Sequence, residues 1–197
     1  GNVFGGSNAT TIGQGRITGN TTITVNTASA NINGNIYGGS NGTINGDSIN
    51  LNNGAITGNT NVVINAGVIT GNIYGGGNNC GSSGSANITI NNGAISGDIY
   101  GGAYQNQVRT ESNIVIKGGS VNNIYGGNEL TSQAQQNNDG SRQNTNITIE
   151  GANAKVEGTI YGGGTFEKVA TATINLNSCE TVPTVYGGSK GAGITEE

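Results

Sequence analysis

Carboxylates are the main side chains in this sequence that could carry acid–base catalysis. The 197-residue chain contains no histidine, which excludes Ser-His-Asp triads, Cys-His pairs and most zinc sites. A pair of acids such as Asp98 and Glu129 could cleave a glycosidic bond if folding brought the two together. A lyase-like site would also need clustered acids beside an arginine or lysine, and no segment supplies that cluster. We therefore expect solvated acids, no catalytic residues and no enzyme.

Motifs for metal or phosphate binding are the next candidates. The segment from Gly38 to Asp47 resembles a calcium-binding nonapeptide only superficially, because that motif needs an aspartate at a fixed position in many tandem copies. The many Gly-Gly steps are not followed by a Lys-Ser/Thr pair or a helix that would hold a phosphate. We expect neither a metal nor any other cofactor.

The two cysteines, Cys80 and Cys179, could in principle form a disulfide. Four repeat intervals separate them, which corresponds to roughly 20 Å if successive repeats stack at about 4.8 Å. Bridged Cα atoms must lie within about 7 Å of one another. The spacing therefore predicts two free thiols.

Composition and charge exclude two classes of partner. The chain has 7 Lys+Arg, a net charge of -4 and a pI near 4.7, whereas nucleic-acid binding needs a dense cationic surface. No stretch reaches the roughly 18 apolar residues of a membrane span. Charged residues make up 9% of the chain, which fits a solvated extracellular surface. We expect no nucleic acid as a partner and no membrane insertion.

One tetrapeptide recurs along the whole chain and defines a repeat. It reads apolar-aromatic-Gly-Gly, and its aromatic residues lie 25 to 37 positions apart. Most copies are preceded by an apolar-x-apolar motif, and several by a further short apolar segment such as Val68–Gly71. The copies of the tetrapeptide begin at Val3, Ile36, Ile73, Ile99, Ile124, Ile160 and Val185.

Apolar residues at every second position within these motifs predict strands, and the Gly-Gly pairs predict corners. One repeat cannot bury its own isoleucines, but stacked repeats can. Strict recurrence favours stacked coils over a β-sandwich of hairpins. We predict an all-β fold, a right-handed parallel β-helix (β-solenoid) built from coils of about 25 residues. Residues 1–197 would form a single domain, a fragment of a longer repeat protein.

Runs such as the one from Asn91 to Gly102 resemble the right-handed parallel β-helix repeats of large bacterial surface proteins and autotransporter-type adhesins. The resemblance covers essentially the whole chain. It implies export, display on the cell surface or secretion, and a role in adhesion or scaffolding. It implies no catalytic residues. The same architecture also serves polysaccharide lyases and phage tailspikes, so the fold alone does not determine the function.

Two features are candidate binding surfaces. If the isoleucine of each tetrapeptide points inward, alternation directs the tyrosine outward. An exposed tyrosine ladder could stack on sugar rings or against a neighbouring chain; the simpler interpretation is a stack that braces the repeats. Polar insertions after two Gly-Gly corners, Gln105 to Ser112 and Asn128 to Thr145, would project from one edge. The candidate binding residues are Tyr37, Tyr74, Tyr100, Tyr125, Tyr161, Tyr186, Tyr104, Arg109, Glu111, Glu129, Asp139 and Arg142.

These observations favour an extracellular structural or adhesive module that presents a surface to glycans or proteins of a host or matrix, or to sibling chains. The alternatives are a carbohydrate-binding or lyase-like protein and an ice-binding one. The ice-binding alternative rests on Thr24, Thr89 and Thr148, which share an outward position. Valine and asparagine occupy that position in other repeats, so a regular threonine array is not expected.

One column of the repeat carries a specific expectation. The first strand motif ends in asparagine in five units, at Asn26, Asn52, Asn65, Asn91 and Asn177. Stacked asparagines can form hydrogen bonds from amide to amide. Two consecutive units carry Lys117 and Glu150 instead, and opposite charges one step apart can form an ion pair. We expect the two charged groups within about 4 Å of each other.

Overall fold

The fold consists of short parallel strands and contains no helix within the residues that the computed structural model describes. These are 1–9, 15–42, 54–80, 84–105, 108, 110–130, 143–166, 169–181 and 183–191. The strands, numbered in chain order, are β1 (Val3–Phe4), β2 (Thr21–Val25), β3 (Asn31–Ile32), β4 (Ile36–Tyr37), β5 (Thr60–Ile64), β6 (Val68–Ile69), β7 (Ile73–Tyr74), β8 (Ala86–Ile90), β9 (Ala94–Ile95), β10 (Ile99–Tyr100), β11 (Glu111–Val121), β12 (Ile124–Tyr125), β13 (Asn144–Val156), β14 (Thr159–Tyr161), β15 (Thr171–Ser178) and β16 (Thr184–Tyr186). Among the described residues, no helix is long and apolar enough to cross a membrane.

The strands form two parallel sheets. The Tyr-Gly-Gly sheet has seven strands in the order β1-β4-β7-β10-β12-β14-β16, so each copy of the tetrapeptide pairs with the next copy. The long-strand sheet has nine strands in the order β2-β5-β8-β11-β9-β6-β3, and β13 joins β11 to β15. Because β11 pairs with β8 along its first half and with β9 along its second, this sheet curls.

The prediction of a right-handed parallel β-helix with coils of about 25 residues is wrong. The strands are arranged as two parallel sheets, one of them curled like a half-barrel, rather than as uniform coils. Two motifs that the repeat pattern separates are merged into the single long strand β11. The strand passes through a register shift between Ile116 and Gly118 and through Gly119, whose φ of 78° lies in the left-handed region. Glycine tolerates that conformation, so the backbone bends without breaking the strand. The all-β class is confirmed.

Isoleucine and valine fill one continuous core between the sheets. In β8, Ile88 and Ile90 are fully buried, and their register partners in β5 and β11 are apolar and buried as well. The isoleucines of the Tyr-Gly-Gly sheet, such as Ile73 and Ile99, complete the same cluster. Burial of one such side chain contributes about 1.5–3 kcal/mol, so the column of isoleucines is the main source of stability.

A column of buried hydroxyls joins the two sheets. The Thr21 hydroxyl donates to the carbonyl oxygen of Gly38 over 2.6 Å, and Thr60 makes the same bond to Gly75 over 2.6 Å. Equivalent bonds further along the stack run from Ser112 to Gly126 and from Thr145 to Gly162. The same register position is Ala86 in β8 and Ala172 in β15, so the bridge is present at four positions of this column.

The first glycine after the tyrosine is required in the interior strands of this sheet because the backbones approach closely there. A Cβ built on Gly75 would lie 2.3 Å from the carbonyl oxygen of Gly101 in the next strand. A Cβ on Gly101 would meet Gly126 at the same distance. Only a residue without a side chain fits, which explains why the tetrapeptide keeps this glycine.

Asparagine side chains form ladders along the outer face of the long-strand sheet. The Asn65 amide donates to Asn26 and the Asn91 amide donates to Asn65, each over 2.6 Å. The Lys117 nitrogen lies 3.6 Å from the Glu150 carboxylate, so the predicted ion pair is confirmed. Asn177 does not extend this column, because a register shift pairs Glu150 with Ser178. Asn52 lies outside the described residues.

Candidate functional site

Seven aromatic rings stack along the Tyr-Gly-Gly sheet and form the tyrosine ladder. Tyr74, Tyr100 and Tyr125 lie on one line, with ring centroids 5.2 Å and 4.7 Å apart and ring planes 8° and 7° from parallel. This confirms the predicted ladder. The members are Phe4, Tyr37, Tyr74, Tyr100, Tyr125, Tyr161 and Tyr186.

The ladder lies on the face of the sheet opposite to the isoleucines, as alternation requires, but most of it is not exposed. Tyr37, Tyr74, Tyr100 and Tyr125 are at most 5% exposed and form a cluster separate from the isoleucine core. Their ring faces contact one another, so no sugar ring can stack on them. The hypothesis of an exposed ladder is therefore wrong for these four. Tyr161 is half-buried, and Tyr186 is 53% exposed.

Asparagines two positions before the tyrosines hold the hydroxyls of the first rungs. The Asn35 amide donates to the Tyr37 hydroxyl over 2.9 Å, and Asn72 donates to Tyr74 over 3.0 Å. The same asparagines accept a bond from the backbone of the next unit: Asn35 from the Asn72 amide nitrogen, and Asn72 from that of Asp98. Each asparagine thus fixes both the hydroxyl of its own unit and the position of the next.

A second column of side chains runs beside the ladder, and we call it the covering column. Each member follows its aromatic residue by four positions. From the second member on, the backbone amide of each donates to the carbonyl oxygen of the residue just before the previous member. The first three members are asparagines joined amide to amide, and the remaining four are chemically different from one another. The members are Asn8, Asn41, Asn78, Tyr104, Glu129, Thr165 and Lys190.

Members of the covering column contact tyrosines one or two units earlier in the ladder. The Tyr74 hydroxyl donates to a carboxylate oxygen of Glu129. The Lys190 ammonium lies 3.4 Å from the Tyr125 hydroxyl and 5.9 Å from the centre of the ring. Tyr104 also packs edge-on against Tyr74, with centroids 5.9 Å apart. This column therefore covers the ladder and places one anion and one cation beside it.

Burial is the main cause that raises the pKa of the Tyr74, Tyr100 and Tyr125 hydroxyls. Burial raises the pKa of Tyr74 far above its ordinary value, and the hydrogen bond to Glu129 raises it further. Burial is also the main cause of the raised pKa of Tyr100, to which the charges of Glu129 and Asp98 add. The pKa of Tyr125 is raised by burial while Lys190 opposes that rise. These hydroxyls therefore stay protonated at neutral pH and cannot act as bases; that of Tyr74 donates to Glu129, and that of Tyr125 accepts from Lys190.

Apolar side chains continue the surface next to the covering column. Leu130 follows Glu129 and is half-buried, and its position pairs with Gln105. Phe166 follows Thr165 and is 55% exposed, and a Cβ built on Gly191 would lie 3.1 Å from its ring. The surface thus combines an exposed aromatic ring with the carboxylate of Glu129 and the ammonium of Lys190, a set of groups suited to recognition.

The acids named as a possible glycosidase pair both have structural partners. Asp98 accepts hydrogen bonds from the side chain of Asn122 and from the backbone and side chain of Asn123. Glu129 accepts the bond from Tyr74. Among the described residues there is no group of three or more Cys, Asp or Glu side chains that could hold a metal ion.

The structure describes only part of the two predicted insertions, Gln105 to Ser112 and Asn128 to Thr145. Glu111 begins β11, is half-buried and pairs with Asn144 of β13, so it belongs to the sheet rather than to a projecting loop. The other charged candidates of the insertions, Arg109, Asp139 and Arg142, lie outside the described residues.

Both cysteines are free, as predicted. Cys80 is buried, and its thiol donates to the Ser40 carbonyl oxygen over 2.8 Å. Burial raises the pKa of this thiol to about 12, so it behaves as a small apolar side chain rather than as a nucleophile. Cys179 is half-buried beside the isoleucine core.

Sequence reasoning missed Thr165 and Lys190 of the covering column and the neighbouring apolar residues Leu130 and Phe166. The sequence did contain a signal for Thr165 and Lys190, because aligning the copies of the tetrapeptide places both in the same column as Tyr104 and Glu129. The contact across two units could not be read from the alignment, since it depends on how far each side chain reaches along the ladder.

Comparison with known proteins yields no relative. No family model matches the chain, and no curated protein or solved structure matches it.

Proposed function

We propose that this chain is an extracellular structural or adhesive module that presents the covering column and its neighbours to a ligand. The observation that carries the proposal is the change of chemistry along that column. Three asparagines that only bond to one another are followed by Tyr104, Glu129, Thr165 and Lys190 on the same regular backbone. The change places an aromatic ring, an acid and a base at positions where the first three units carry asparagine.

Rigidity supports a scaffolding role. Each unit is joined to the next by parallel backbone bonds, stacked rings and asparagine ladders. Side chains on such a frame lose little further freedom when a ligand binds, which favours affinity. The low content of charged residues and the pI near 4.7 are compatible with work outside the cell, and this localisation is part of the proposal.

Glycans and proteins of a host or matrix are the proposed ligands. The exposed ring of Phe166 offers a flat apolar face, and Glu129 and Lys190 lie on the neighbouring column. Aromatic faces flanked by polar groups are used for sugars and for protein partners. The Phe166 ring therefore favours carbohydrate binding as one form of this function.

A binding screen tests the proposal. The purified chain is presented to a glycan array and to a panel of extracellular matrix proteins, and hits are measured again with Phe166→Ala and Lys190→Ala. We expect each substitution to weaken binding at least several-fold, because recognition is concentrated in a few side chains. Val68→Ala is the matched control, since Val68 is 39% exposed but lies on β6, outside the covering column.

Three results would contradict the proposal. The first is a screen without any ligand, and the second is binding that survives both substitutions. The third is turnover of a glycan, which would favour the lyase-like alternative instead. A thermal-hysteresis measurement tests ice binding separately; the relevant column alternates Thr24, Val63, Thr89 and Val115 and ends in Thr148 and Asn175.

A further inference from the structure

The turn between β8 and β9 holds an asparagine against the backbone nitrogen of the residue that follows it. Asn92 is exposed, and Gly93 has a φ of 126°. The Gly93 amide nitrogen donates to the side-chain oxygen of Asn92 over 2.9 Å. Asparagine side chains commonly bond to nearby backbone groups in turns. Here the bond keeps a backbone nitrogen beside the carbonyl carbon of an exposed side-chain amide.

The turn itself does not require an asparagine. The register of β6 and β9 aligns Ala66 and Gly67 of the preceding unit with Asn92 and Gly93. Gly67 has a φ of 111°, also in the left-handed region. The glycine therefore provides the backbone conformation of this turn, and alanine serves in the place of Asn92 one unit earlier.

A second Asn-Gly pair, Asn41–Gly42, is held in the opposite way. The Asn41 amide donates to the Asn8 side chain over 2.8 Å, and its oxygen accepts a bond from Asn78 over 2.9 Å. The Gly42 amide nitrogen donates to the Asn78 carbonyl oxygen over 2.8 Å, and Gly42 is buried. The side chain and the nitrogen are thus bonded to other units rather than to each other.

A third pair, Asn33–Gly34, lies between these two cases. Asn33 is exposed, but within the described residues its side chain receives no hydrogen bond from the Gly34 nitrogen. It therefore serves as a reference for an exposed pair whose two groups are not held together. Asn45 and Asn53, which also precede glycine, lie outside the described residues.

We infer that Asn92 is a modification site, where the chain converts its own asparagine into aspartate and isoaspartate. Hydroxide removes the proton of the Gly93 nitrogen, which then attacks the side-chain carbonyl carbon of Asn92. The new C–N bond closes a succinimide ring, the bond to the side-chain nitrogen breaks, and ammonia leaves with a proton taken from water, which regenerates the hydroxide. Water opens the ring at either carbonyl, so the net reaction consumes water, releases ammonia and needs no oxidant or reductant. The bond between the two groups favours this step, because proximity accelerates intramolecular reactions.

The products change both the charge and the main chain at this turn. Each carries a carboxylate in place of the amide, and isoaspartate also routes the main chain through the side chain, which lengthens it by a carbon atom. Backbone bonds from Ala94 to Gly67 and from Ser120 to Gly93, each over 2.9 Å, fix the turn between the units on both sides. The isoaspartyl product therefore strains the junction of three units.

Peptide mapping after incubation in a mildly alkaline buffer tests this inference. Cleavage after the ladder tyrosines places the three Asn-Gly pairs on different peptides, and tandem mass spectrometry locates and quantifies each product. Methylation by an isoaspartyl methyltransferase distinguishes isoaspartate from aspartate. The same incubation in guanidinium chloride gives the rate of each site in the unfolded chain, so the ratio of the folded to the unfolded rate isolates the effect of the structure.

The three sites should differ in that ratio. Asn92 should react at least as fast in the folded chain as in the unfolded one. Asn41 should be slowed about tenfold or more by folding, because it reacts only after its hydrogen bonds open, and Asn33 should lie between the two. Asn92→Ala is the matched variant, since Ala66 occupies the same position in the preceding unit. It should fold, form no product at this position and leave the rate at Asn41 unchanged, with circular dichroism as the check on folding.

The remaining outcomes overturn the inference. An Asn92 that stays intact in the folded chain but reacts in the unfolded one would show that the turn protects it. Equal ratios at Asn41 and Asn92 would show that bonding does not control the reaction. A ratio at Asn33 that matches or exceeds that at Asn92 would show that the bond to the Gly93 nitrogen gives no advantage. These comparisons use the wild-type chain alone, so they decide the question even if Asn92→Ala does not fold.

Discussion

Thr60 offers the sharpest test of how the two sheets are held together. Its side chain is fully buried, and its hydroxyl donates to the Gly75 carbonyl oxygen over 2.6 Å. Thr60→Val keeps the branched shape and removes only the donor. We expect the variant to fold with the same strands and to lose stability.

The size of the stability loss follows from the fact that the buried Gly75 carbonyl loses one hydrogen-bond donor. Removing a hydrogen-bond donor so that a buried carbonyl loses its bond costs about 1–3 kcal/mol, and the added methyl group recovers a part of this. We therefore expect a loss of about 1–2 kcal/mol in the free energy of unfolding. For a chain of this size, that corresponds to a decrease in Tm of about 2–8 °C. Urea unfolding and calorimetry measure the two quantities.

Two matched variants isolate the hydroxyl. Thr89→Val makes the same substitution on the outward side of β8, where the register neighbours are Val63 and Val115, so a change within about 0.5 kcal/mol is expected. Ala86→Ser adds a hydroxyl to the bridging column at a position that lacks one, and should be neutral or stabilising. If Thr60→Val were no less stable than Thr89→Val, the bridge would contribute nothing and the reasoning would be refuted.

Three further predictions concern charge and ionisation. Replacing Lys117 and Glu150 by asparagine, singly and together, should give a coupling free energy of a few tenths to about 1 kcal/mol in urea unfolding, and additive single effects would contradict it. Burial raises the pKa of the Cys80 thiol to about 12, so a thiol reagent at pH 8 should label Cys179 in the folded chain and leave Cys80 unlabelled; equal labelling rates would contradict the burial. The folded pKa of Tyr74 is raised, so its contribution to stability is complete below about pH 10, the unfolded value, and is lost as the pH rises above that. Tyr74→Phe should therefore lose stability less steeply above pH 10 than the wild type, and identical pH profiles of denaturant unfolding would contradict this.

Much of the fold could be predicted from the spacing of one tetrapeptide. Recurrence of Ile-Tyr-Gly-Gly indicated that copies would pair with one another, and Tyr74, Tyr100 and Tyr125 do stack in register. The period-2 pattern indicated that isoleucines point inward. These features follow from local strand geometry, which the alternation of apolar and polar residues in the sequence indicates directly.

The sequence alone could not exclude uniform coils. Whether two motifs form separate strands or merge into one depends on the backbone conformation of single residues. The turn at Asn91–Gly93 separates β8 from β9, whereas in the next unit Gly118 and Gly119 allow one strand to continue. Both segments contain glycine and read alike as turns. Whether the strand is interrupted or continuous depends on how the segment pairs with the adjacent strands of the sheet.

Exposure of the ladder was the least predictable part of the candidate site. Alternation gives the direction in which Tyr74 points but not what lies above it. The groups that cover it, Tyr104 and Glu129, come from later units at a sequence separation of up to 55 residues. Such contacts depend on tertiary packing and carry no signal in a local pattern.

Because the backbone hydrogen bonds of each unit run to its immediate neighbours, the chain should open unevenly over time. The unit of β15 and β16 is largely exposed, whereas Ile99 and Tyr100 in the middle of the sheet are buried, so opening the former exposes less new surface. The Gly162 amide, which donates to Tyr186, should therefore exchange its hydrogen for deuterium sooner than the Gly101 amide, which donates to Tyr125. Protection would then rise from the β16 side toward the centre, so proteolytic nicking should begin on that side and shorten the stack unit by unit.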